Sequence, residues 1–149
     1  MSEPHIVDVE PRHCALVERS APVGALADVI PGAFEVVYKF MREAKLEPGP
    51  NVIIYSGGKD GRVALSCGVQ VAAPFESQGE VACGSTPKGQ ALTSTHEGSY
   101  DALHESHDQL LEWARTSQVR LAPVSWEIYG KWSDEPSALR TELFHLLDV

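Results

Sequence analysis

Cysteine is scarce in this sequence, and the cysteines that occur are far apart. Cys14, Cys67 and Cys83 are the only three among 149 residues, a pattern that argues against a disulfide framework and fits a reducing compartment. No run of apolar residues approaches the roughly 20 needed to span a bilayer, and the N-terminus shows no basic and apolar targeting signal. The sequence therefore predicts a cytoplasmic protein without a membrane partner.

Positive charge is scarce as well. The chain has 12 Lys and Arg residues against 21 Asp and Glu residues, a net charge of -9. No basic stripe is present that would follow a phosphate backbone, so we expect no direct nucleic-acid binding. Because 149 residues with 43% hydrophobic content are enough for one sizeable core, we expect a single domain over residues 1–149.

Hydrophobic periodicity predicts two helices among several strands. Between Leu26 and Lys45 apolar residues recur at helical spacing, and Ser99 is placed to cap a second helix. The inward stripe predicted for that second helix is Leu103, His107, Leu110, Leu111 and Ala114. Strands are predicted over 5–18, 51–56, 62–72, 80–83, 90–96, 121–129 and 139–147, with a glycine-rich hairpin at 57–61.

An internal repeat appears when the chain is compared with itself at an offset of 74 residues. Ile54 and Tyr55 then match Ile128 and Tyr129 (129 − 55), and the first predicted helix falls on the second. We therefore expect two β-α-β-β units, over about 1–76 and 77–149, that share one antiparallel sheet with both helices packed on it. This is an α+β fold, and its expected ligand cleft is the seam at the pseudo-twofold axis.

One acid lies inside a stretch that otherwise has the composition of a buried strand. Glu127 is flanked by Trp126 and Ile128. If Glu127 faces the interior, it must be paired, protonated or available to a cationic or hydrogen-bonding ligand, because burying an uncompensated charge is costly. Strand alternation could equally turn it to water. At the repeat offset it corresponds to Ile53 (127 − 53), so only one half carries the acid, which indicates a role beyond building the unit.

Other catalytic constellations are weak. His104 and His107 are three residues apart, whereas a zinc-binding His-Glu-x-x-His helix needs a spacing of four. His107 also falls on the predicted inward stripe, where a core histidine with satisfied hydrogen bonds is expected. Cys67 has no basic neighbour that would activate it as a nucleophile. The sequence predicts no metal and no cofactor.

Three segments follow one another in an order that is typical of one family. His96-Glu97-Gly98-Ser99-Tyr100 precedes the second predicted helix, Trp126-Glu127-Ile128-Tyr129 lies in the next strand, and Thr141-Glu142-Leu143 begins the last strand. They resemble the His-x-Gly-Pro-Tyr segment, the Glu-x-Tyr strand and the closing strand of the GyrI-like small-molecule-binding domains, which also serve as effector-binding domains of AraC-type and MerR-type regulators. Ser99 stands where the family usually has proline, a departure that concerns the local turn.

The resemblance implies a cleft lined by aromatic side chains, with a glutamate at its base, that binds lipophilic and often cationic compounds. Aromatic faces attract cations, and a desolvated carboxylate favours a positive ligand. The predicted ligand-binding residues are Glu127, Tyr129, Tyr55, Tyr38 and Trp132. For Tyr38, beside the stripe of the first helix, and Trp132, in a connection, a purely structural role is an equal alternative.

Strand alternation also assigns the two faces of this strand. Glu127 and Tyr129 share the face of the cleft, whereas Trp126 and Ile128 share the other face. We expect Trp126 and Ile128 to pack against the helices.

Three functions remain open from the sequence. The first is a stand-alone small-molecule-binding protein, a monomer or homodimer, without a DNA-binding domain because no helix-turn-helix segment precedes the first strand. The second, which the resemblance also implies, is hydrolysis of reactive cyclopropane-bearing toxins, with Glu127 as general base and Tyr129 or Tyr55 donating a hydrogen bond to the developing charge. The third is an inhibitor that acts on a protein partner, similar to gyrase-inhibitor proteins.

Overall fold

Two helices pack on one face of an eight-stranded antiparallel sheet in the computed structural model, which describes residues 1–149. The predicted α+β class is confirmed. Neither helix is long and apolar enough to cross a membrane. In chain order the elements are β1 (His5–Val9), β2 (His13–Pro22), α1 (Leu26–Ala44), β3 (Asn51–Tyr55), β4 (Arg62–Gln70), β5 (Ala82–Ser85), β6 (Gly89–Glu97), α2 (Leu103–Thr116), β7 (Leu121–Tyr129) and β8 (Arg140–Leu147).

The sequence located both helices and the β3–β4 hairpin, but it was wrong about the first strand. Residues 5–18 were expected to form one strand, whereas Pro11 lies in a break between β1 and β2. Proline cannot donate a backbone hydrogen bond, so a continuous strand is interrupted at this position. The two resulting strands lie far apart in the sheet, β1 beside β6 and β2 between β4 and β5.

The order of strands in the sheet is unchanged when the two halves of the chain are exchanged. The order is β1-β6-β8-β7-β3-β4-β2-β5, and replacing β1 to β4 by β5 to β8, and the reverse, gives the same order read backwards. The halves meet at β3 and β7, and each half lends its first short strand to the other half's edge. Each half has two strands before its helix, where the predicted β-α-β-β unit has one; the duplication of the units stays a prediction.

The short connection between β1 and β2 shows that the sheet is strongly curled. β1 and β2 are six strand spacings apart in the sheet order, which in a flat sheet is about 29 Å at about 4.8 Å per spacing. Only residues 10–12 join them, and the four peptide steps span at most about 14 Å. The sheet therefore bends until its two ends approach each other, with the helix-free face on the inside.

The inside of the curl is closed by hydrogen bonds between residues 10–12 and residues 86–88, which connect β5 to β6. The Arg12 amide donates to Thr86 Oγ1 at 2.9 Å, and the Thr86 amide donates to the Arg12 carbonyl at 3.1 Å. Trp126 stacks on Phe144 beneath them, with ring centroids 5.0 Å apart, and Ile128 is buried in the same cluster. The expectation that Trp126 and Ile128 pack against the helices is wrong, because the helices cover the opposite face of the sheet.

The helix-bearing face holds two separate cores. α1 packs on β2 and β4, and the buried side chains of Val37 and Met41 lie in its core. α2 packs on β6, and Leu110 lies in a smaller core with Leu92 and Leu143. The central strands β3 and β7 run beneath the space between the two helices, and this space contains the candidate site.

One residue of the predicted α2 stripe is placed wrongly. Leu111 is 48% exposed, whereas Ser106, which the stripe did not include, is buried. Ser106 Oγ lies 2.7 Å from His96 Nδ1, so its hydroxyl group is satisfied beneath the helix. At 3.6 residues per turn, the inward face is formed by Leu103, Ser106, Leu110 and Ala114. Leu111 follows Leu110 and is turned about 100° away from that face.

Candidate functional site

Three hydrogen-bond partners converge on the carboxyl group of Glu127. Tyr55 and Tyr129 donate their hydroxyl protons to Oε1 at 3.3 Å and 2.8 Å, and His107 Nε2 lies 2.8 Å from Oε2. The residue is only 4% exposed. The sequence left open whether Glu127 faces water or the interior; it faces the interior and is paired.

The location of Glu127 explains why it needs such partners. β7 is an inner strand of the sheet, hydrogen-bonded to β3 on one side and to β8 on the other, and Glu127 points to the helix-bearing face. Removing an ionised carboxyl group from water costs several kcal/mol unless donors replace the lost hydration. The two tyrosine hydroxyls and the imidazole provide these donors, so the carboxylate is stabilised before any ligand arrives.

A second histidine extends this group. His107 Nδ1 lies 2.8 Å from His145 Nε2, and the two rings meet edge to face with centroids 5.0 Å apart. Burial, together with the nearby His107, lowers the pKa of His145 from 6.5 to about 4. His145 is therefore neutral at neutral pH, and its Nε2 can accept a hydrogen bond from His107 or donate one to it, depending on the tautomer.

The tyrosine hydroxyl groups remain protonated throughout the physiological range. Burial, and then the charge of Glu127, raise the pKa of both Tyr55 and Tyr129 above the usual value. Each hydroxyl proton is directed at Glu127 Oε1. These tyrosines are accordingly donors to Glu127 and poor acids toward anything else.

An aromatic cavity of about 680 Å³ opens between α1 and the ends of β3 and β7. Asn51 accepts a hydrogen bond from the Tyr38 hydroxyl at one side, and Lys131 contributes a cationic side chain to the lining. The volume is within the range of ordinary small-molecule sites. The apolar and aromatic side chains of the lining are Ile30, Phe34, Tyr38, Ile53, Tyr55, Tyr100, Tyr129 and Trp132.

A smaller histidine cavity of about 420 Å³ adjoins the aromatic cavity. Tyr55 and Tyr129 line both cavities and so separate them. Glu127 lines only the histidine cavity, behind the two tyrosines as seen from the aromatic side. The remaining lining residues of the histidine cavity are Leu26, Leu103, His104, His107, Ser125 and His145.

The structure brings all five predicted ligand-binding residues to this region, with a division that the sequence did not predict. Tyr38, Tyr55, Tyr129 and Trp132 line the aromatic cavity, whereas Glu127 lines the neighbouring one. Trp132 is 67% exposed and lies at the rim, 6.2 Å from Tyr100 between ring centroids.

Sequence reasoning missed the two histidines of the site. His107 was expected to be a satisfied core histidine; its hydrogen bonds are satisfied, but they are made to Glu127 and His145 beside a cavity. The signal was present, since a buried acid needs a donor on a facing element and His107 was already placed on the inward side of α2. Burial raises the pKa of Cys67 to about 11, in keeping with an unreactive thiol. No cluster of three or more His, Cys, Asp and Glu side chains is arranged to hold a metal ion.

Known structures of similar shape have low sequence identity to this chain. The EcmrR C-terminal domain has a TM-score of 0.80 at 14% identity, covering 99% of this chain and 98% of that one. SAV2435 bound to tetraphenylphosphonium has a TM-score of 0.69 at 11% identity, covering 98% and 94%. A hydrolase from Listeria innocua has a TM-score of 0.65 at 12% identity, covering 99% and 92%.

No curated protein sequence matches this chain significantly. A family model described as the GyrI-like small molecule binding domain matches residues 2–146. That match spans nearly the whole chain, including both helices and every residue of the two cavities. The chain therefore belongs to the family of GyrI-like small-molecule-binding domains.

Proposed function

We propose that this protein binds lipophilic cations in the aromatic cavity. The observation that carries the proposal is the position of the Glu127 carboxyl group, directly behind two tyrosines that line the cavity. A cation held about 8 Å from a carboxylate, at an effective dielectric constant near 20, gains about 2 kcal/mol of attraction. The apolar lining supplies the preference for a lipophilic body.

The two tyrosines support the proposal in a second way. Tyr55 and Tyr129 both donate hydrogen bonds to a carboxyl group, which places additional negative charge on their rings. A cation over the face of an electron-rich ring gains about 0.5 to 2 kcal/mol. The resemblance in fold to SAV2435, which has been seen with tetraphenylphosphonium bound, is consistent with the same ligand class.

Lys131 limits where the cation can lie. Its side chain is exposed at the rim of the aromatic cavity, where it would repel a positive ligand. Glu127 and the tyrosines lie deeper, on the central strands. We infer that the charge of the ligand sits on the tyrosine side and that its apolar groups extend toward Trp132.

The test compares two probes of nearly equal shape and opposite charge. Tetraphenylphosphonium and tetraphenylborate are titrated into the protein by calorimetry at neutral pH. We expect saturable binding of the cation and no binding, or binding weaker by at least tenfold, of the anion. Equal affinity for both ions would show that the site does not distinguish positive from negative charge. If neither ion binds, the proposal is contradicted.

Hydrolysis of an electrophile is a second candidate because Glu127, His107 and His145 form one hydrogen-bonded chain. Glu127 would take a proton from water as the water oxygen bonds to a cyclopropane carbon, and the breaking ring bond would leave its electron pair on the adjacent ring carbon. That carbon would then take the proton from Glu127, which gives the ring-opened alcohol and restores the carboxylate. The tyrosine role expected from the sequence fits less well, since both hydroxyls already donate to Glu127.

This candidate has a direct test. Product should accumulate beyond one equivalent per protein when a cyclopropane conjugated to a carbonyl is supplied, and Glu127→Gln should abolish the turnover. Binding of that compound without turnover would exclude the hydrolase function.

A further inference from the structure

The third partner of Glu127 is a side chain that itself changes charge. Histidine is the residue whose ordinary titration lies between about pH 5 and pH 8. His107 donates to Glu127 Oε2 over 2.8 Å, so any proton that it gains or loses changes the net charge beside the proposed cation site. Glu127 with a protonated His107 is a neutral pair, whereas Glu127 with a neutral His107 carries one negative charge.

Titratable groups from four elements face His107. β7 presents Glu127 and the Tyr129 hydroxyl, β3 presents the Tyr55 hydroxyl, and β8 presents His145. α2 itself adds His104 one turn earlier, and α1 contributes only Leu26, which does not titrate. Within this group Glu127 is the only acid, so the charge of the site depends on how Glu127 and His107 share protons.

We propose that this protein binds a lipophilic cation in exchange for a proton, and that His107 is the residue that releases the proton. The inference rests on the proposed function and adds that binding of the cation is coupled to release of a proton. A cation in the aromatic cavity and a protonated His107 compete for the same carboxylate. The incoming cation favours the neutral imidazole, and the displaced proton goes to the solvent.

His145 provides a hydrogen-bond partner for His107 in both of its protonation states. Protonated His107 carries an N–H on both ring nitrogens and needs two acceptors. Glu127 Oε2 is one acceptor, and the ring of His145, neutral because its pKa lies at about 4, is the other at 2.8 Å. After the proton leaves, the His107–Glu127 hydrogen bond can persist through Nε2–H, with His145 donating to Nδ1. Both states of His107 therefore keep their hydrogen bonds without any movement of the chain.

The pair formed by Glu127 and His107 is present in one half of the molecule only. At the offset of 74 residues, His107 corresponds to Ala33 (107 − 33) and Glu127 corresponds to Ile53 (127 − 53). The aromatic cavity takes Ile53 from the first half, and the histidine cavity takes Glu127 and His107 from the second. The two adjoining cavities thus differ in the residues that can hold charge.

The experiment measures how many protons are released for each cation that binds. Tetraphenylphosphonium is titrated into the full chain by calorimetry at several pH values between 5 and 8, in two buffers of different protonation enthalpy. His107→Gln removes the titrating ring and keeps an amide that can bond to Glu127. His104→Gln is the matched control, because His104 lines the same cavity but bonds to the Asp101 carbonyl instead of to Glu127.

We expect the wild type and His104→Gln to release a fraction of a proton, up to one, per cation, with affinity rising roughly tenfold from the acidic to the neutral end. His107→Gln should bind without proton release and with little pH dependence. Binding by the wild type with no proton release overturns the inference and leaves the proposed function standing, even if His107→Gln does not fold. The same release by His107→Gln as by the wild type also overturns it, and no binding at any pH overturns both proposals.

Discussion

Ile53 and Glu127 are direct partners across the junction of β3 and β7, and they are also the two residues that the offset of 74 makes equivalent. The two flanking pairs correspond to each other at this offset: Ile54 faces Trp126 and Val52 faces Ile128, and the offset of 74 relates Ile54 to Ile128 and Val52 to Trp126. Arg12 and Thr86, whose backbones bond where the connections cross, are again 74 residues apart. The predicted pseudo-twofold axis would pass through both pairs, and the single buried acid would lie beside it.

Glu127→Gln should weaken binding of tetraphenylphosphonium by roughly 10-fold to 100-fold, or about 1 to 3 kcal/mol, because the attraction between the cation and the carboxylate is lost. Glu112→Gln is the control, since it makes the same charge change at an exposed position on α2. Calorimetry of both variants measures the effect, with circular dichroism to verify folding. Equal affinities of the two variants would remove Glu127 from the site.

The fold was largely predictable because its information is periodic and local. α1, the β3–β4 hairpin and β7 follow from spacing and turn residues. The curl of the sheet was not predictable in this way. It depends on which distant strands the residues around Pro11 and Pro87 connect, and a single strand pattern carries no information about its neighbours in the sheet.

Leu110→Ala and Leu111→Ala form a matched pair for α2. Leu110 is fully buried, so its truncation should cost about 2 to 5 kcal/mol of unfolding free energy. Leu111 is 48% exposed, and its truncation should cost less than about 1 kcal/mol. Urea denaturation of each variant gives the two values, and a larger loss for Leu111→Ala would mean that α2 is rotated relative to the sheet.

The site was predictable to the extent that it lies on one strand. Glu127 and Tyr129 share a face by alternation, and Tyr55 follows from the repeat. The division into two cavities was not predictable, because it depends on where two tyrosine rings lie between neighbouring helices. The partnership of Glu127 with His107 and His145 joins three elements that are distant in sequence, and only their packing reveals it.

Trp132→Ala should separate binding from stability. Trp132 is 67% exposed at the rim of the aromatic cavity, so its loss should change the unfolding free energy by less than about 0.5 kcal/mol. Affinity for tetraphenylphosphonium should fall severalfold because one aromatic contact is lost. The other two tryptophans lie outside both cavities, Trp126 buried in the curl and Trp113 packed against the core under α2. The change in tryptophan fluorescence on binding should therefore largely disappear in this variant. Retention of the full fluorescence change would place the ligand elsewhere.

His145 should make the protein less stable as the pH falls from about 6.5 to about 4. Its pKa is about 4 in the folded protein and about 6.5 in the unfolded chain. Between these values the unfolded state binds more protons, so stability rises with pH across the window and the contribution is lost on acidification. The full effect is about 3 kcal/mol, from about 1.4 kcal/mol for each unit of pKa.

The measurement is the difference in unfolding free energy between the wild type and His145→Gln at pH 7, 6, 5 and 4. Other groups also titrate in this range, but they contribute to both proteins and cancel to first order. The difference should shift against the wild type by about 3 kcal/mol between pH 7 and pH 4. His13→Gln, at an exposed position, controls for the loss of a histidine as such. A difference that stays constant with pH would show that His145 is readily protonated in the folded protein, and hence that the ring beside His107 is not the neutral acceptor on which the proton exchange depends.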